Sequence, residues 1–326
     1  MAVTPQTNTT LAELAEVLFA LDDIVVCGHV SPDGDCIGSA LAVVNALRES
    51  GKRATALSAD PIPESLAFLP GAADIVLTCD YTGPVGCFFA VDVPDLARLG
   101  TAGAALHASA PVTLRLDHHA YPERVSDYSY TDPDAVSATT LVWEMLGHQV
   151  ERSAAVATCC YAGLVTDSGR FEFQNTDERA FRLAAEMIAA GVNPGRVTAE
   201  LYENERLAAL QLEMRAFERM ELDAELGYAL TYLTAADFAE FDAVKADAEG
   251  VVNLIRRLRD VRVLCCLREQ DDTVRLSFRA KSDIDVREIA QRFGGGGHVA
   301  ASGATMHVPL AEAYAQVKAA LREACS

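Results

Sequence analysis

The sequence is poor in basic residues and in long apolar runs. Its 326 residues include 27 Lys and Arg against 47 Asp and Glu, a formal net charge of −20. Binding along a duplex needs many contacts from basic side chains to phosphates, so this balance disfavours long duplex nucleic acid as a ligand. No apolar run approaches the roughly 20 residues of a membrane span, and the first twenty residues contain no Lys or Arg to begin a secretory signal. We therefore expect a cytoplasmic protein without a membrane partner.

Closely paired cysteines are also lacking. The sequence has nine cysteines, an odd number, and none of them belongs to a C-x-x-C pair. Thiolate zinc sites use such short spacings, and disulfide frameworks use an even number of cysteines. Several of the nine stand inside apolar runs. The sequence therefore favours reduced, buried thiols.

Strand-like and helix-like segments alternate along the chain, and this order predicts an α/β fold. We expect a doubly wound, mainly parallel sheet domain over 1–192, a helical linker over 193–221 and a smaller α/β domain over 222–326. The linker is predicted to be one long charged helix over about 196–221. The strands predicted for the first domain are 24–28, 53–58, 75–78, 87–91 and 112–116, and those predicted for the second are 228–233, 261–268 and 273–280.

The charge is unevenly distributed. Residues 1–249 hold 15 basic and 38 acidic residues, whereas residues 250–326 hold 12 basic and 9 acidic ones. The acidic part attracts phosphate only if cations occupy it, while the C-terminal part is able to bind an anion directly. This division favours a short phosphorylated ligand.

Asp and His residues follow the ends of the apolar elements in the first domain. They are His29, Asp33, Asp35, Asp92, Asp117, His118, His119 and Asp167. The carboxyl ends of the strands in an open α/β sheet share one edge, so residues far apart in sequence are expected to meet there. Each residue taken singly also fits a turn, a helix cap or a packed histidine. Their joint occurrence favours a site for two divalent metals, because mixed oxygen and imidazole ligands suit manganese or magnesium better than structural zinc.

The order of these motifs resembles a known family. The segments HVSPDGDCIGS, VDVPD, DHH and GLVTDSGRF are similar to the four motifs of the DHH phosphoesterase superfamily, and FRAKSDIDVREIAQRFGGGGH resembles its DHH-associated C-terminal domain. Together they span nearly the whole chain. The sequence looks like the NrnA-type oligoribonucleases, which also dephosphorylate 3′-phosphoadenosine 5′-phosphate (pAp). Some relatives of this type hydrolyse cyclic di-AMP or its linear product.

The resemblance implies a role for each motif position. One metal ion would be held by His29, Asp33 and Asp92, and the other by Asp35, Asp92, His118 and Asp167, with Asp92 bridging them. His119 would face the substrate phosphate as a hydrogen-bond or proton donor. Asp117 would orient a neighbouring histidine. The resemblance also suggests a homodimer, and it makes manganese the expected metal, with magnesium or cobalt as alternatives.

A run of four glycines in the C-terminal part predicts close contact between the backbone and a ligand. Glycine adopts backbone angles closed to other residues, so its N–H groups are able to cradle a phosphate. We expect Gly295, Gly296, Gly297, His298 and Arg279 to bind substrate. A flexible hinge is the alternative interpretation of the run.

The sequence thus predicts a two-metal phosphoesterase that acts on short RNA or DNA oligonucleotides, on dinucleotides and on pAp, with cyclic di-AMP or its linear product as further candidates. A non-catalytic cyclic-dinucleotide sensor is the alternative from another class of protein. A RecJ-like exonuclease and a manganese pyrophosphatase share the N-terminal motifs but fit the rest of the chain less well. Arg98 and Arg170, which follow two of the motifs, fit either a phosphate contact or a structural ion pair.

Overall fold

The structure is a computed structural model that describes residues 7–120, 124–270, 272–281, 284–297 and 299–325. His298, which the sequence predicts to bind substrate, lies outside the described residues. The chain forms two compact units, Met1–Asn204 and Glu205–Ser326.

The first unit alternates strands and helices in the predicted manner. Its strands are β1 (Ile24–Cys27), β2 (Ala54–Ser58), β3 (Val76–Leu77), β4 (Cys87–Val91), β5 (Thr113–Asp117) and β6 (Tyr128–Thr131). Its helices are α1 (Leu11–Ala20), α2 (Gly34–Glu49), α3 (Gly100–Ser109), α4 (Ala138–Leu146), α5 (Ala154–Asp167), α6 (Glu178–Ala189) and α7 (Pro194–Tyr202).

The six strands form one parallel sheet in the order β3-β2-β1-β4-β5-β6. Every residue of β1, β4 and β5 is buried, which explains why the sequences of β1 and β4 are continuous apolar runs rather than alternating patterns. The chain moves outward from β1 to β3 and then returns to β4. The direction of winding therefore reverses between β1 and β4, the position where open α/β sheets bind ligands.

Close helix packing supports this edge of the sheet. Helix α2 packs along α5, and a side chain at Gly38 would come within 2.5 Å of the carbonyl oxygen of Cys159. The glycine therefore lets the two helix backbones approach each other. Both helices contribute residues to the site described below, so this contact fixes their spacing.

The second unit is a mixed sheet with helices. Its strands are β7 (Glu221–Asp223), β8 (Tyr228–Leu233), β9 (Val263–Gln270), β10 (Thr273–Ala280), β11 (Gly296–Gly297) and β12 (Ala301–Met306). Its helices are α8 (Leu207–Glu218), α9 (Ala235–Glu240), α10 (Val251–Arg256), α11 (Val286–Gln291) and α12 (Leu310–Cys325). The strand order is β11-β12-β10-β9-β8-β7, and only the β8–β9 pair is parallel. The predicted α/β class is confirmed for both units.

The single long helix predicted over 196–221 is wrong. Helix α7 ends at Tyr202 and α8 begins at Leu207. Val197 of α7 belongs to the core of the first unit, whereas Leu212 of α8 belongs to a core of the second. Each helix thus packs into a different core, and the chain between them is not helical.

The cysteine prediction is largely confirmed. Seven of the nine cysteines are buried thiols. Cys79 is exposed and Cys325 is partly exposed, which departs from the expectation. No helix among the described residues is long and apolar enough to cross a membrane.

Candidate metal centre

The acidic and histidine residues of the motifs meet at the carboxyl edge of the parallel sheet. His29 follows β1, Asp92 follows β4, and His118 follows β5, which are three adjacent strands. Asp33 caps the N-terminus of α2 by accepting hydrogen bonds from two backbone N–H groups, and Asp167 is the last residue of α5. Capping the helix does not exclude a second role for Asp33, because its other oxygen faces His29.

One group of ligands comprises His29, Asp33 and Asp92. Nε2 of His29 lies 3.3 Å from Oδ2 of Asp92 and 3.7 Å from Oδ2 of Asp33. One donor atom from each of the three residues lies within 4.8 Å of the others. On the opposite side of the His29 ring, Nδ1 lies 2.9 Å from the carbonyl oxygen of Val30. A backbone carbonyl in this position orients the ring and leaves Nε2 to face the carboxylates.

A second group comprises Asp35, His118 and Asp167. Nε2 of His118 lies 3.4 Å from Oδ2 of Asp167, 3.5 Å from Oδ1 of Asp92 and 3.7 Å from Oδ2 of Asp35. Nδ1 of His118 lies 3.2 Å from the carbonyl oxygen of Ala135, so this ring is oriented in the same way as His29. Asp92 therefore lies between the two groups, with Oδ2 near His29 and Oδ1 near His118.

Asp92 has two features that a purely structural carboxylate would not need. Its backbone φ is +57°, in the left-handed region that non-glycine residues adopt at a cost. Its Oδ1 is buried and forms no hydrogen bond with any described residue. A buried carboxylate oxygen without a donor is costly unless a cation balances it.

The pKa shifts reflect this concentration of negative charge. Burial, followed by the charge of Asp92, raises the pKa of Asp35 to about 7, and burial together with the charge of Asp35 raises the pKa of Asp167. Burial alone would lower the pKa of His29, but hydrogen bonds to Asp33 and Asp92 raise it to about 11. Burial would also lower the pKa of His118, but its carboxylate neighbours raise that pKa well above the ordinary value. In the absence of metal, protons must balance part of the charge.

The donor set fits divalent metal ions. Three histidines and four aspartates converge, with His119 in a further group with Asp92 and His118, and no described cysteine is among them. Oδ1 of Asp92, which accepts no hydrogen bond from a described residue, points into the same cluster. Hard divalent cations prefer oxygen ligands with some imidazole, so the residues present are chemically suited to such ions.

His119 points differently from His118. Its Nδ1 lies 2.9 Å from Oδ1 of Asp117, and about a quarter of its side chain is exposed (23%). The other oxygen of Asp117 pairs with Arg115. Asp117 thus orients His119. The sequence analysis predicted that Asp117 orients a neighbouring histidine but did not say which one.

The sequence interpretation missed Arg115. Its side chain is completely buried within the apolar strand β5. Beyond Asp117, it donates hydrogen bonds to the carbonyl oxygen of Val93 at 2.7 Å, to that of Pro94 at 3.2 Å and to Oγ1 of Thr131 at 3.1 Å. The only sequence signal was a charged residue inside an apolar run.

Gly163 and the N-terminus of α4 were also missed. Asp35 accepts hydrogen bonds from the backbone N–H groups of Ala138 at 2.6 Å and Thr139 at 2.8 Å. A side chain at Gly163 would come within 2.8 Å of Oδ1 of Asp35 and 2.6 Å of Oγ1 of Thr139. Gly163 therefore leaves the space that Asp35 occupies. The motif GLVTDSG contained this residue, but only its aspartate was interpreted.

The two motif arginines have different surroundings. Nη2 of Arg98 lies 3.3 Å from Nδ1 of His29, at the edge of the candidate metal centre. Arg170 instead pairs with Glu172 at 3.9 Å and lies over the ring of Tyr202. The structural-pair interpretation therefore fits Arg170, while Arg98 lies beside His29, one of the candidate ligands.

The predicted substrate-binding residues lie in the second unit. Gly296 and Gly297 form β11, which pairs with Ser302 and Gly303 of β12, so part of the glycine run is an edge strand. A side chain at Gly295 would collide with the carbonyl oxygen of Gly303, and Gly297 has a φ of +139°. These two positions require glycine. Arg279 is partly buried on β10, where its Nη1 donates to the carbonyl oxygen of Phe278.

Comparison with known proteins identifies the family. Residues 23–164 match the DHH family, N-terminal domain, and residues 227–326 match the DHHA1 domain. The chain is 32% identical over 320 residues to the bifunctional oligoribonuclease and PAP phosphatase NrnA of Thermus thermophilus, covering 95% of this chain and 93% of that protein. It is 27% identical over 299 residues to the protein of the same name from Bacillus subtilis, covering 90% and 93%.

A solved structure has the same fold along nearly the whole chain. The crystal structure of an exopolyphosphatase-related protein from Bacteroides fragilis superposes with a TM-score of 0.92 and 27% identity, covering 97% of this chain and 96% of that one. The family resemblance in the sequence motifs is therefore confirmed. The chain belongs to the DHH family of phosphoester hydrolases, with a DHH N-terminal domain followed by a DHHA1 domain.

Proposed function

We propose that this protein is a two-metal phosphoesterase that hydrolyses short oligonucleotides and pAp. The observation that carries the proposal is the position of Asp92, whose two oxygens face two separate groups of ligands. A single metal site would use one such group. A carboxylate shared by both is the arrangement that a pair of neighbouring ions requires.

The proposed ligands of the first ion are His29, Asp33 and Asp92, and those of the second are Asp35, Asp92, His118 and Asp167. We propose manganese as the metal, with magnesium or cobalt as substitutes. The chemistry that such ions supply is activation of a water molecule and stabilisation of charge on the attacking and leaving oxygens. The backbone carbonyls of Val30 and Ala135 hold the two histidine rings in place for this purpose.

The remaining side chains of the site act on the substrate. Nδ1 of His119 is held by Asp117, which orients the ring, and we propose that its Nε2 donates a proton or a hydrogen bond to a phosphate oxygen. Asp117 accepts from Arg115 at the same time, which fixes the position of its carboxylate. Arg98 is placed to contribute positive charge beside His29.

The substrate class is inferred from the relatives. Two of them are named oligoribonuclease and PAP phosphatase, and this chain covers more than nine tenths of each. We propose that the DHH domain, predicted over 1–192, supplies the chemistry. The segment over 193–221, predicted as a helical linker and found as α7 and α8 in two different cores, leads to the domain predicted over 222–326, where Arg279 and the glycine run bind the substrate. Cyclic di-AMP and its linear product remain candidate substrates, and a homodimer is the proposed assembly.

One experiment tests the function directly. Purified full-length protein is loaded with manganese, magnesium or cobalt and incubated with diribonucleotides, pAp, cyclic di-AMP and its linear product. Release of mononucleotides or inorganic phosphate with manganese, abolished by a chelator, supports the proposal. Tight binding of a cyclic dinucleotide without turnover under every metal condition would instead identify a sensor.

A further inference from the structure

Three arginines share one face of the second sheet. Side chains alternate along a strand, so Arg275 and Arg279 of β10 point to the same side, and Arg268 of β9 lies directly opposite Arg275 in the strand register. The other side of β10, which includes Leu276 and Phe278, packs into the hydrophobic core. The arginines therefore lie on the opposite face of the sheet, which also carries Leu264 and Cys266 of a second hydrophobic core.

These arginines form hydrogen bonds only with neutral groups in the described part of the chain. Arg268 donates to Oγ of Ser277 at 3.1 Å, Arg275 to Oγ1 of Thr305 at 3.2 Å, and Arg279 to a backbone carbonyl at 2.9 Å. Nε of Arg268 is buried and has no acceptor among the described residues.

Other arginines of the same unit behave differently. Arg287 pairs with Asp285 at 2.7 Å, and Arg292 pairs with Glu323 at 2.8 Å. Carboxylates are abundant in this chain, with 47 against 27 basic residues. The lack of a described carboxylate partner for the three arginines is therefore a property of this face and not of the composition.

The arrangement is costly in the free protein. Like charges directly opposite each other on neighbouring strands destabilise a sheet, and Arg268 and Arg275 form such a pair. Partial desolvation and the charge of Arg268 lower the pKa of Arg275, and burial, followed by the charges of Arg256 and Arg268, lowers that of Arg279. A bound anion would remove this repulsion.

The surface beside the arginines is free of large side chains. Ser277 lies opposite Gly303, and Gly303 lies opposite Gly296 of the edge strand. A side chain at Gly303 would come within 3.2 Å of Nη2 of Arg275. The glycine thus lets the Arg275 guanidinium lie close to the strands, and the row of small residues leaves room for a ligand.

We propose that Arg268 and Arg275 form an anion subsite that binds a phosphate group of a nucleotide substrate, in addition to the substrate contact proposed for Arg279. The identity of the ligand rests on the proposed function. The planar guanidinium groups present paired N–H donors that match phosphate oxygens. The subsite therefore favours a dinucleotide that carries a 5′-phosphate over the same dinucleotide without one.

The test compares the equilibrium binding of three probes to full-length protein in the presence of a chelator, which prevents turnover. The probes are 5′-phosphorylated diadenylate, unphosphorylated diadenylate and inorganic phosphate. The variants are Arg268→Gln and Arg275→Gln, and the matched control is Arg259→Gln, which removes an exposed charge from the same unit. Thermal unfolding of each variant is measured in parallel.

We expect each subsite variant to weaken binding of the phosphorylated dinucleotide about tenfold. The slope of log affinity against log salt concentration should fall by about one. Binding of the unphosphorylated dinucleotide changes little, and inorganic phosphate binds far more weakly than either. The unfolding temperature stays the same or rises, because the like-charge pair is relieved. Equal losses for both dinucleotides, or unchanged binding of the phosphorylated one, would overturn the subsite.

The outcome is separable from the proposed function. Hydrolysis of the phosphorylated dinucleotide by the manganese-loaded wild-type protein is measured independently. No hydrolysis with manganese, magnesium or cobalt refutes the phosphoesterase, whereas the difference in binding between the two dinucleotides still tests the arginine pair.

Discussion

Arg115 and Asp117 form an ion pair that is completely buried beside the candidate metal centre. Arg115 also holds two carbonyl groups of the loop that follows Asp92, and a hydroxyl of β6. One guanidinium thus ties together the loop after β4, the end of β5 and the neighbouring strand. Since Asp117 in turn holds His119, the position of that histidine depends on a residue that does not touch the site itself.

Arg115→Met is expected to lower the free energy of unfolding by about 3–5 kcal/mol, because it leaves the Asp117 carboxylate buried without its partner. Urea unfolding of the full-length protein measures the change. The double variant Arg115→Met, Asp117→Asn should recover part of the loss, since no charge then remains unpaired. Arg53→Met, which breaks the exposed pair with Asp23, serves as the control and should change the stability far less. Equal losses in Arg115→Met and the control would show that the buried pair has no special role.

His119→Ala is expected to reduce kcat by roughly 10²–10⁴-fold, because a positioned proton donor is lost. Manganese binding should persist, since Nδ1 of His119 lies nearer to Asp117, at 2.9 Å, than to Asp92, at 3.5 Å. Steady-state kinetics and a metal titration measure the two effects separately. A variant that loses manganese to the same degree as it loses activity would make His119 a ligand instead.

Metal-free protein is expected to lose stability as the pH rises from about 5 to 8. The folded state keeps a proton on Asp35, whose pKa is raised to about 7, while an unfolded aspartate releases its proton near a pH of about 3.9. His29 and His118 likewise keep protons that the unfolded chain releases at a pH of about 6.5. The folded state thus binds more protons, so a rising pH favours unfolding.

The effect of metal on stability should therefore increase with pH. Thermal unfolding is followed at pH 5.5 and pH 8 with a chelator and with manganese. We expect a larger difference between the two conditions at pH 8, because the metal replaces the protons of the site. If manganese raises the unfolding temperature by the same amount at both pH values, the proton-binding role of the site is contradicted.

Gly163→Ala is expected to disturb Asp35. The added methyl carbon would lie 2.8 Å from Oδ1 of Asp35 and 2.6 Å from Oγ1 of Thr139, which is closer than van der Waals contact allows. Such overpacking costs about 1–3 kcal/mol. Manganese affinity should fall along with stability, as measured by metal titration and thermal unfolding. Gly195→Ala on α7 is the matched control, because no other atom lies within 3.4 Å of the added carbon. Unchanged manganese affinity in Gly163→Ala would show that Asp35 tolerates displacement.

The ligand groups could be predicted from the sequence because their positions follow a simple rule. His29, Asp92 and His118 each follow a buried strand, and parallel strands bring their carboxyl ends to one edge. Asp33 and Asp167 stand at helix ends that face the same edge. Residue type and position within an element were therefore enough to place them together.

The supporting residues could not be predicted in this way. Arg115 stands in an apolar strand, and only the structure shows that carbonyl oxygens and Asp117 satisfy its donors. Strand β12, with the sequence ASGATM, has little β-propensity and is held by pairing with β10. The break between α7 and α8 arises because the two helices pack into different cores. Each of these features depends on contacts distant in sequence.

The number of manganese ions bound per chain tests the central claim most directly. Full-length wild-type protein and Asp92→Asn are dialysed against manganese, and bound metal is measured by elemental analysis. Because Asp92 is shared by both ligand groups, we expect two ions per wild-type chain and fewer than one in Asp92→Asn. A single ion in the wild-type chain, or two ions retained by Asp92→Asn, would contradict a two-metal centre bridged by this residue.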